Sequence, residues 1–387
     1  MIYKKAAAIS LGLALSLGAA PVQALAGSPE FAYTAEKWAS LRDNMLEFEE
    51  LADLVHEYNN TVIQNQIEYN DYRGDTKDDI SEDYYDAADD IYGNLNYPDS
   101  DDENYASSLS SYLSGQIQAD NLREQGDDNV DDGDIKKLGY DQTEMSLVKQ
   151  AQELMISYWS QRHSLESLQK TKEQAESSYN STVTKQSAGM ATQAQVLSAE
   201  KAVTSAAASL LSAESSLAKT KESLCLLLGW TYGAEVEIGE TPEPDLEAVD
   251  AIDLDSDVKK GLEASYELKI LEKKAGNAQS SSKKESLQED LKSARETAAA
   301  NIKAAYRSLV LARSDYEQAE QAYAIEKNTM DTAERQLQAG TITRNDYAAQ
   351  QSSCTTAQVN AQTKRLALLE AQLEYSWSVN GLASTSA

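Results

Sequence analysis

The groups in this 387-residue chain that could do chemistry are two histidines, two cysteines and 64 carboxylates. His56 sits in "LVHEYN" and His163 in "QRHSLE", outside any HExxH or nucleophile pattern. His56 reads as a hydrogen-bonding residue on a helix face rather than a base. Cys225 and Cys354 form no CxxC and no Cys/His cluster, which argues against zinc and thioredoxin-like sites. "DNVDDG" (128–133) places Val130 where an EF-hand loop needs an oxygen ligand and lacks the closing Glu, so a calcium site is disfavoured. With carboxylates this abundant, no single pair is informative. The chain reads as a non-enzyme, and no cofactor or metal is implied.

Glycine and threonine carry more information. "QSAGMATQAQVL" (186–197) and "QAGTITRNDYAA" (338–349) each interrupt a long run of helix formers, and Ala-Gly-x-x-Thr recurs at 188–192 and 339–343, 151 residues apart. Gly189 and Gly340 suit the left-handed position that ends a helix. Thr192 and Thr343 are placed to cap the next one. Met190 and Ile342 would then be apolar residues at the most exposed points of two compact turns, and exposed apolar clusters tend to mark contact sites.

The elements that must hold these turns are long helices. Only 5 Pro, 17 Gly and 2 Phe occur, as expected of long helices and coiled coils. After the first turn a seam runs Val196, Val203, Leu210, Leu217, Leu224; after the second it runs Tyr347, Cys354, Ala361, Leu368, Tyr375, each 151 residues beyond its counterpart. A seven-residue spacing held this long is a coiled-coil signal. Before the turns, Ile302, Ala305, Leu309, Ala312 and Tyr316 begin one apolar series, and Ala151, Leu154, Tyr158 and Leu165 begin the other. Each copy is therefore a helix, a tight turn and a return helix. Periodicity leaves a closed four-helix bundle and an open oligomer both standing. The small residues beside the seam, as in "TSAAASLLSAESSLAKT" (204–220), favour close packing against further helices. In this geometry the two cysteines lie roughly 33 Å apart along the axis at the helical rise, so they are expected to be free thiols.

Charge and the N-terminus set the surroundings. Lys4 and Lys5, the apolar run "AAAISLGLALSLGAA" and Ala24-Leu25-Ala26 read as a signal peptide over 1–26, so the protein is expected to be exported. No later run is long and apolar enough for a transmembrane helix. The net charge is −30; between Asp71 and Ile135 there are 20 acidic and 3 basic residues. Nucleic acid is a poor partner for such a chain. The acidic stretch is expected to be disordered or loosely folded; a charged collar, made sticky by its tyrosines, is the other reading.

The repeated Ala-Gly-x-x-Thr turns, the Ala/Leu/Ser heptads closing at "LCLLLGW" (224–230) and "WSVNGL" (377–382), and "LRDNMLEFEELADLVHEYNNTV" (41–62) together resemble the outer membrane efflux protein family, the TolC-like proteins. The resemblance implies an all-α protomer of two repeated coiled-coil hairpins, three of which build a hollow twelve-helix barrel. It implies a duct for efflux or type I secretion, coupled through an adaptor protein to an ABC-type or other inner-membrane transporter. The adaptor contacts carried over are Gly189, Met190, Ala191 and Thr192 with Gly340, Thr341, Ile342 and Thr343. The family commonly has Asp three positions after the Thr; Asp346 keeps it and Gln195 does not.

The chain departs from the family where the barrel strands should be. "NAQSSSKKES" (277–286) is too short for one spanning strand, and the acidic stretch has no alternating run. The expected location is thus the cell envelope, the outer membrane by resemblance but a Gram-positive-type envelope by these residues. The expected division is a signal peptide (1–26), an N-terminal helix (27–70), the acidic insert (71–135), the first hairpin (136–233), a linker (234–254) whose Val-x-Ile reads as a short strand, the second repeat (255–382) and a tail (383–387). A coiled-coil spacer of the envelope, without a lumen, is the rival reading.

Overall fold

Side-chain caps decide where the helices begin. In the computed structural model, which describes residues 33–101 and 104–386, Thr34, Asn59, Thr76, Asp132, Thr192, Asp245, Asp253, Ser265, Ser280 and Thr343 each accept from a backbone N–H of the helix they precede. The expected signal peptide lies outside the described residues. In chain order the elements are α1 (Ala35–Leu41), β1 (Met45–Leu46), α2 (Leu51–Tyr58), α3 (Asn60–Tyr72), α4 (Lys77–Asn94), α5 (Tyr105–Asp128), α6 (Gly133–Ser187) and α7 (Gln193–Leu227). They continue with β2 (Glu237–Ile238), α8 (Leu246–Asp250), α9 (Leu254–Ala264), α10 (Tyr266–Asn277), α11 (Ser281–Gln338) and α12 (Arg344–Trp377), closed by a π-helical turn over Ser378–Leu382. The fold is all-α apart from two short parallel strands, Met45 against Glu237 and Leu46 against Ile238. The Val-x-Ile of the linker supplies the second strand.

Two hairpins dominate. α6 and α11 have 55 and 58 residues, so each extends about 80–90 Å at the helical rise. α6 returns as α7 and α11 as α12, and α6 packs along α12, giving a row in the order α7–α6–α12–α11. A closed bundle would set α7 along α11. No extended packing between them occurs among the described residues, and the row stays open.

Both cores lie at the end away from the turns. Leu51, Leu54 and Val55 of α2 pack with Val148, Ala151 and Met155 of α6, Leu224 and Leu228 at the end of α7, and Leu366 and Leu369 of α12. A second cluster joins Ile302 and Leu309 of α11 to Leu368 and Tyr375 of α12 and Val379 of the closing turn. Truncating a fully buried Leu here to Ala would cost about 2–5 kcal/mol.

Two expectations need correction. The N-terminal helix is in pieces: β1 separates α1 from α2, and α2 ends at Asn59, which takes extended backbone (ψ 123°) and caps α3 from Oδ1 while its Nδ2 donates to the Leu227 carbonyl at 2.8 Å. The acidic insert, expected to be disordered, is a helical hairpin of α4 and α5. Thr76 and Asp79 form a capping box that starts α4. Ile80, Ala88 and Ala119 are buried, the Tyr85 and Tyr92 hydroxyls donate to Asp127 and Asp120, and Arg123 pairs with Asp89 at 2.7 Å. Composition counted the charges, while the pairing of acid with tyrosine across the hairpin depends on which residues come opposite each other.

Candidate functional site

The two turns are built alike. Before the first, the Met190 N–H bonds the Lys185 carbonyl and the Gly189 N–H bonds the Gln186 carbonyl, both at 2.8 Å. Before the second, the Thr341 N–H bonds Gln336 at 2.9 Å and the Gly340 N–H bonds Leu337 at 3.0 Å. This is the Schellman pattern, which satisfies the last carbonyls of a helix and needs a left-handed residue. Gly189 (φ +74°) and Gly340 (φ +69°) supply it. A Cβ at either would meet nothing within 4 Å, so backbone conformation alone selects glycine.

The return helices start from matching capping boxes. At the first turn the Gln195 N–H donates to Thr192 Oγ1 (3.3 Å) and the Thr192 N–H to Gln195 Oε1 (2.7 Å). At the second the Asp346 N–H donates to Thr343 Oγ1 (3.2 Å) and the Thr343 N–H to Asp346 Oδ2 (3.0 Å). Gln195 closes the same box with a neutral oxygen where Asp346 uses a carboxylate. The Thr343 hydroxyl, followed by its backbone N–H, holds the Asp346 carboxyl below the usual carboxylate range.

All eight residues singled out from the sequence lie at the turns, which share one face of the molecule. Gly189, Thr192, Gly340, Thr341 and Thr343 are exposed, and Met190 is 73% exposed. Ile342 differs from expectation: it is half-buried, at the place Ala191 occupies in the first turn. The counterpart of Met190 is Thr341, whose hydroxyl donates to the Gln336 carbonyl at 3.0 Å. Only the first turn therefore offers a large, fully presented apolar side chain.

The turns are level with one another. Trp377 Nε1 donates to Gln152 Oε1 at 2.8 Å, and each of these residues is 37 positions from its own turn glycine (152 to 189, 340 to 377). Lys149 pairs with Glu374 beside them. Within the hairpins, Gln161 bonds Thr220 at 3.0 Å and Gln350 bonds Glu326 at 2.7 Å, holding the arms in register.

The sequence reading missed the outer faces of the row. α7 exposes Leu197 (54%) and Leu211 (65%); α11 exposes Leu311 (67%) and Ile325 (64%). Their signal was a second spacing of 14 residues, masked by the stronger seam one position away.

The other chemical groups are structural. His56 Nδ1 meets Glu144 Oε1 at 2.9 Å, tying α2 to α6, and that bond raises its pKa against the lowering effect of burial. Burial lowers His163 and raises both thiols; Cys225 is buried and Cys354 half-buried on the seam, and both are free. Among the described residues no group of three His, Cys, Asp or Glu is arranged to hold a metal. No helix there is long and apolar enough to cross a membrane.

Residues 118–230 match the model of the outer membrane efflux protein family; that stretch takes in the C-terminal part of α5, all of α6, the first turn and α7. No curated protein matches the chain. Among solved structures, a membrane protein from Pseudomonas aeruginosa aligns at a TM-score of 0.56 and 12% identity, over 96% of this chain and 97% of its own. The outer membrane protein VceC from Vibrio cholerae aligns at 0.51 and 10%, over 86% and 96%. The outer-membrane channel OprN aligns at 0.50 and 10%, over 92% and 94%. The fold is TolC-like.

This TolC-like fold lacks spanning strands among the described residues, where β1 and β2 have two residues each. In the first repeat the acidic α4–α5 hairpin stands between α3 and α6; in the second only residues 278–280 separate α10 from α11.

Proposed function

We propose that this protein is a conduit component for efflux or secretion. Three copies close their open rows into an α-helical duct, and the level turns dock an adaptor that couples the duct to an ABC-type or other inner-membrane transporter. The observation that carries this reading is the open row α7–α6–α12–α11 with its turns aligned at one end. A row that ends in two exposed apolar edges buries them by meeting further copies, whereas a closed bundle has no such edges.

The adaptor contact is assigned to Gly189, Met190, Ala191 and Thr192 with Gly340, Thr341, Ile342 and Thr343, led by the exposed Met190. The protein acts as a passage and not as an enzyme. It is exported to the cell envelope. At the end away from the turns, α4 presents Asp78, Asp79, Glu82, Asp86, Asp89 and Asp90 to solvent, a surface costly to place against lipid. That favours an extracytoplasmic duct end in a Gram-positive-type envelope over one embedded in an outer membrane.

Sedimentation equilibrium of the purified mature chain, with negative-stain imaging, tests the reading. A trimer with a hollow end-on projection is expected. A compact monomer or a solid rod over a wide concentration range overturns it and leaves a coiled-coil spacer.

A further inference from the structure

The sequence of α5 changes character halfway. Its first 15 residues, Tyr105 to Ala119, carry no charge, although they lie in the stretch with 20 acidic and 3 basic residues. Asp120 opens an acidic half that continues through Glu124, Asp127 and Asp128 to the root of the α4–α5 hairpin. The side of α5 that carries Gly115, Ala119 and Gly126 is pressed against α4: a Cβ at Gly115 would sit 2.5 Å from Leu95 Cδ2, and one at Gly126 2.5 Å from Tyr85 Cε1. Along the opposite side Ala106, Ser110, Leu113 and Ile117 step by 4, 3 and 4, all exposed, Leu113 at 48% and Ile117 at 61%.

The hairpin that carries this stripe is tied down at its root. The Gly133 N–H donates to the Asp75 carbonyl at 2.9 Å, and Lys274 of α10 pairs with Asp131 at 3.1 Å. Asn277, the last residue of α10, donates from Nδ2 to the Val130 carbonyl at 2.9 Å and to Asp132 Oδ2 at 2.8 Å. Beyond the root α4 and α5 pack on each other, and no extended packing of either against another helix occurs among the described residues. The far end is closed by Tyr97, set edge-to-face on Tyr112 with ring centroids 5.3 Å apart. A hairpin anchored on two elements and ordered to its end presents the stripe at a set place, beyond the start of α6 and 56 residues from the turn (133 to 189).

From this arrangement we infer that the uncharged halves of α5 from three copies meet on the threefold axis, so that the hairpins stand as a tripod over the duct end away from the turns. The contact rests on the conduit reading, and its occupant is the same face of a second and a third copy. Charge selects that occupant. The acidic residues on α4 and on the lower half of α5 repel a like hairpin everywhere except along this stripe. A cationic partner is drawn to α4 instead, and an anionic lipid surface is repelled by both helices. Around a threefold axis like residues meet at one height, Leu113 with Leu113 and Ile117 with Ile117. The same stripe continues into Asp120 and Glu124, which cannot meet their own copies without cost, so the legs diverge from there to their roots. Divergence is what the duct needs. Twelve helices about 10 Å apart close a ring of about 19 Å radius. The 15 residues from Leu113 to Asp128 reach about 22 Å, enough to bring an inclined leg from the ring to the axis. Roots about 33 Å apart on that ring, under two-helix legs about 20 Å wide, leave passages between the legs.

Thiol cross-linking tests the contact. In the full mature chain carrying Cys354→Ala, with the buried Cys225 retained, Leu113→Cys places thiols of three copies around the axis and Glu82→Cys places them on the outer face of α4. A short bis-maleimide is expected to give covalent dimer from Leu113→Cys and monomer from Glu82→Cys, with a trimer by sedimentation in both. Ile117→Glu added to Leu113→Cys is expected to abolish the covalent dimer while the trimer persists, since the duct walls are untouched. A dimer from Glu82→Cys, or one from Leu113→Cys that survives Ile117→Glu, overturns the assignment of the face. A trimer with no cross-link from either position overturns the tripod and leaves the conduit reading intact. A chain that stays monomeric overturns both.

Discussion

At the first turn the box-closing residue is Gln195 and the side chain after the glycine is Met190. At the second these places are taken by Asp346 and Thr341. The backbones superimpose in kind: the same Schellman bonds, the same left-handed glycine, the same threonine cap. The hairpins thus need the same geometry twice but not the same surface twice. Glycine and threonine are tied to the turn by conformation and capping, and their neighbours are left to diverge. One turn closes its box with a neutral side chain and carries an apolar point; the other closes it with a carboxylate and carries a hydroxyl.

The largest effect that sharpens this comparison comes from a third Schellman turn, at the end of α7. Gly229 is also left-handed (φ +84°), but a Cβ there would sit 2.5 Å from the Tyr58 carbonyl oxygen. Gly229→Ala should cost about 3 kcal/mol or more, conformation and clash together, and lower the global melting temperature. Gly189→Ala and Gly340→Ala should each cost about 1–2 kcal/mol, the conformational part alone. Hydrogen exchange of the turn amides should report that loss locally. Equal losses at all three glycines would show that Tyr58 yields without cost.

Removing the caps comes next. Thr192→Ala and Thr343→Ala should each loosen the first turn of the following helix by about 1 kcal/mol, read as faster exchange at Gln195 and Asp346. A clear difference between them would break the equivalence of the two boxes.

Acid should separate the turns. The Asp346 pKa is lowered in the folded chain, so its contribution is complete above the unfolded carboxylate value and is lost as pH falls through the folded one. Protection of the amides around Thr343, taken relative to their intrinsic exchange rates, should therefore fall in acid while protection around Thr192 does not. Gln195→Asp should confer the acid response on the first turn, and Asp346→Gln should abolish it in the second. The smallest stability effect belongs to Met190→Ser, within about 0.5 kcal/mol, since the side chain is exposed. On the proposed adaptor docking, with Met190 as the main apolar contact, retention of a co-expressed adaptor should fall in this variant and not in Thr341→Ser.

How much of this was readable beforehand depended on the range of the interactions. Gly189, Thr192, Gly340 and Thr343 were legible because turn and cap chemistry is local, set within a few residues. The hairpin arms were legible from their seams. Ile342 was misplaced because the sequence marks where a turn is but not which side chain it swings inward. The α4–α5 hairpin was misread because its order comes from contacts across it, such as Tyr85 with Asp127, 42 residues apart. Likewise the break at Asn59 is completed by the carbonyl of Leu227, which no window around Asn59 contains.

The bond from Trp377 to Gln152 has a further consequence, for the order of events in folding. It joins residues 225 apart in the chain, and the Asn59–Leu227 bond joins residues 168 apart. The turns close over fewer than ten residues and each arm can zip from its own turn, so the hairpins need little loop-closure entropy. At the opposite end the Trp377–Gln152 contact can close only after almost the whole chain has been synthesised. Loop-closure entropy therefore favours a folding order from the turns towards the cores, with the elements richest in local contacts ahead of the densely packed end.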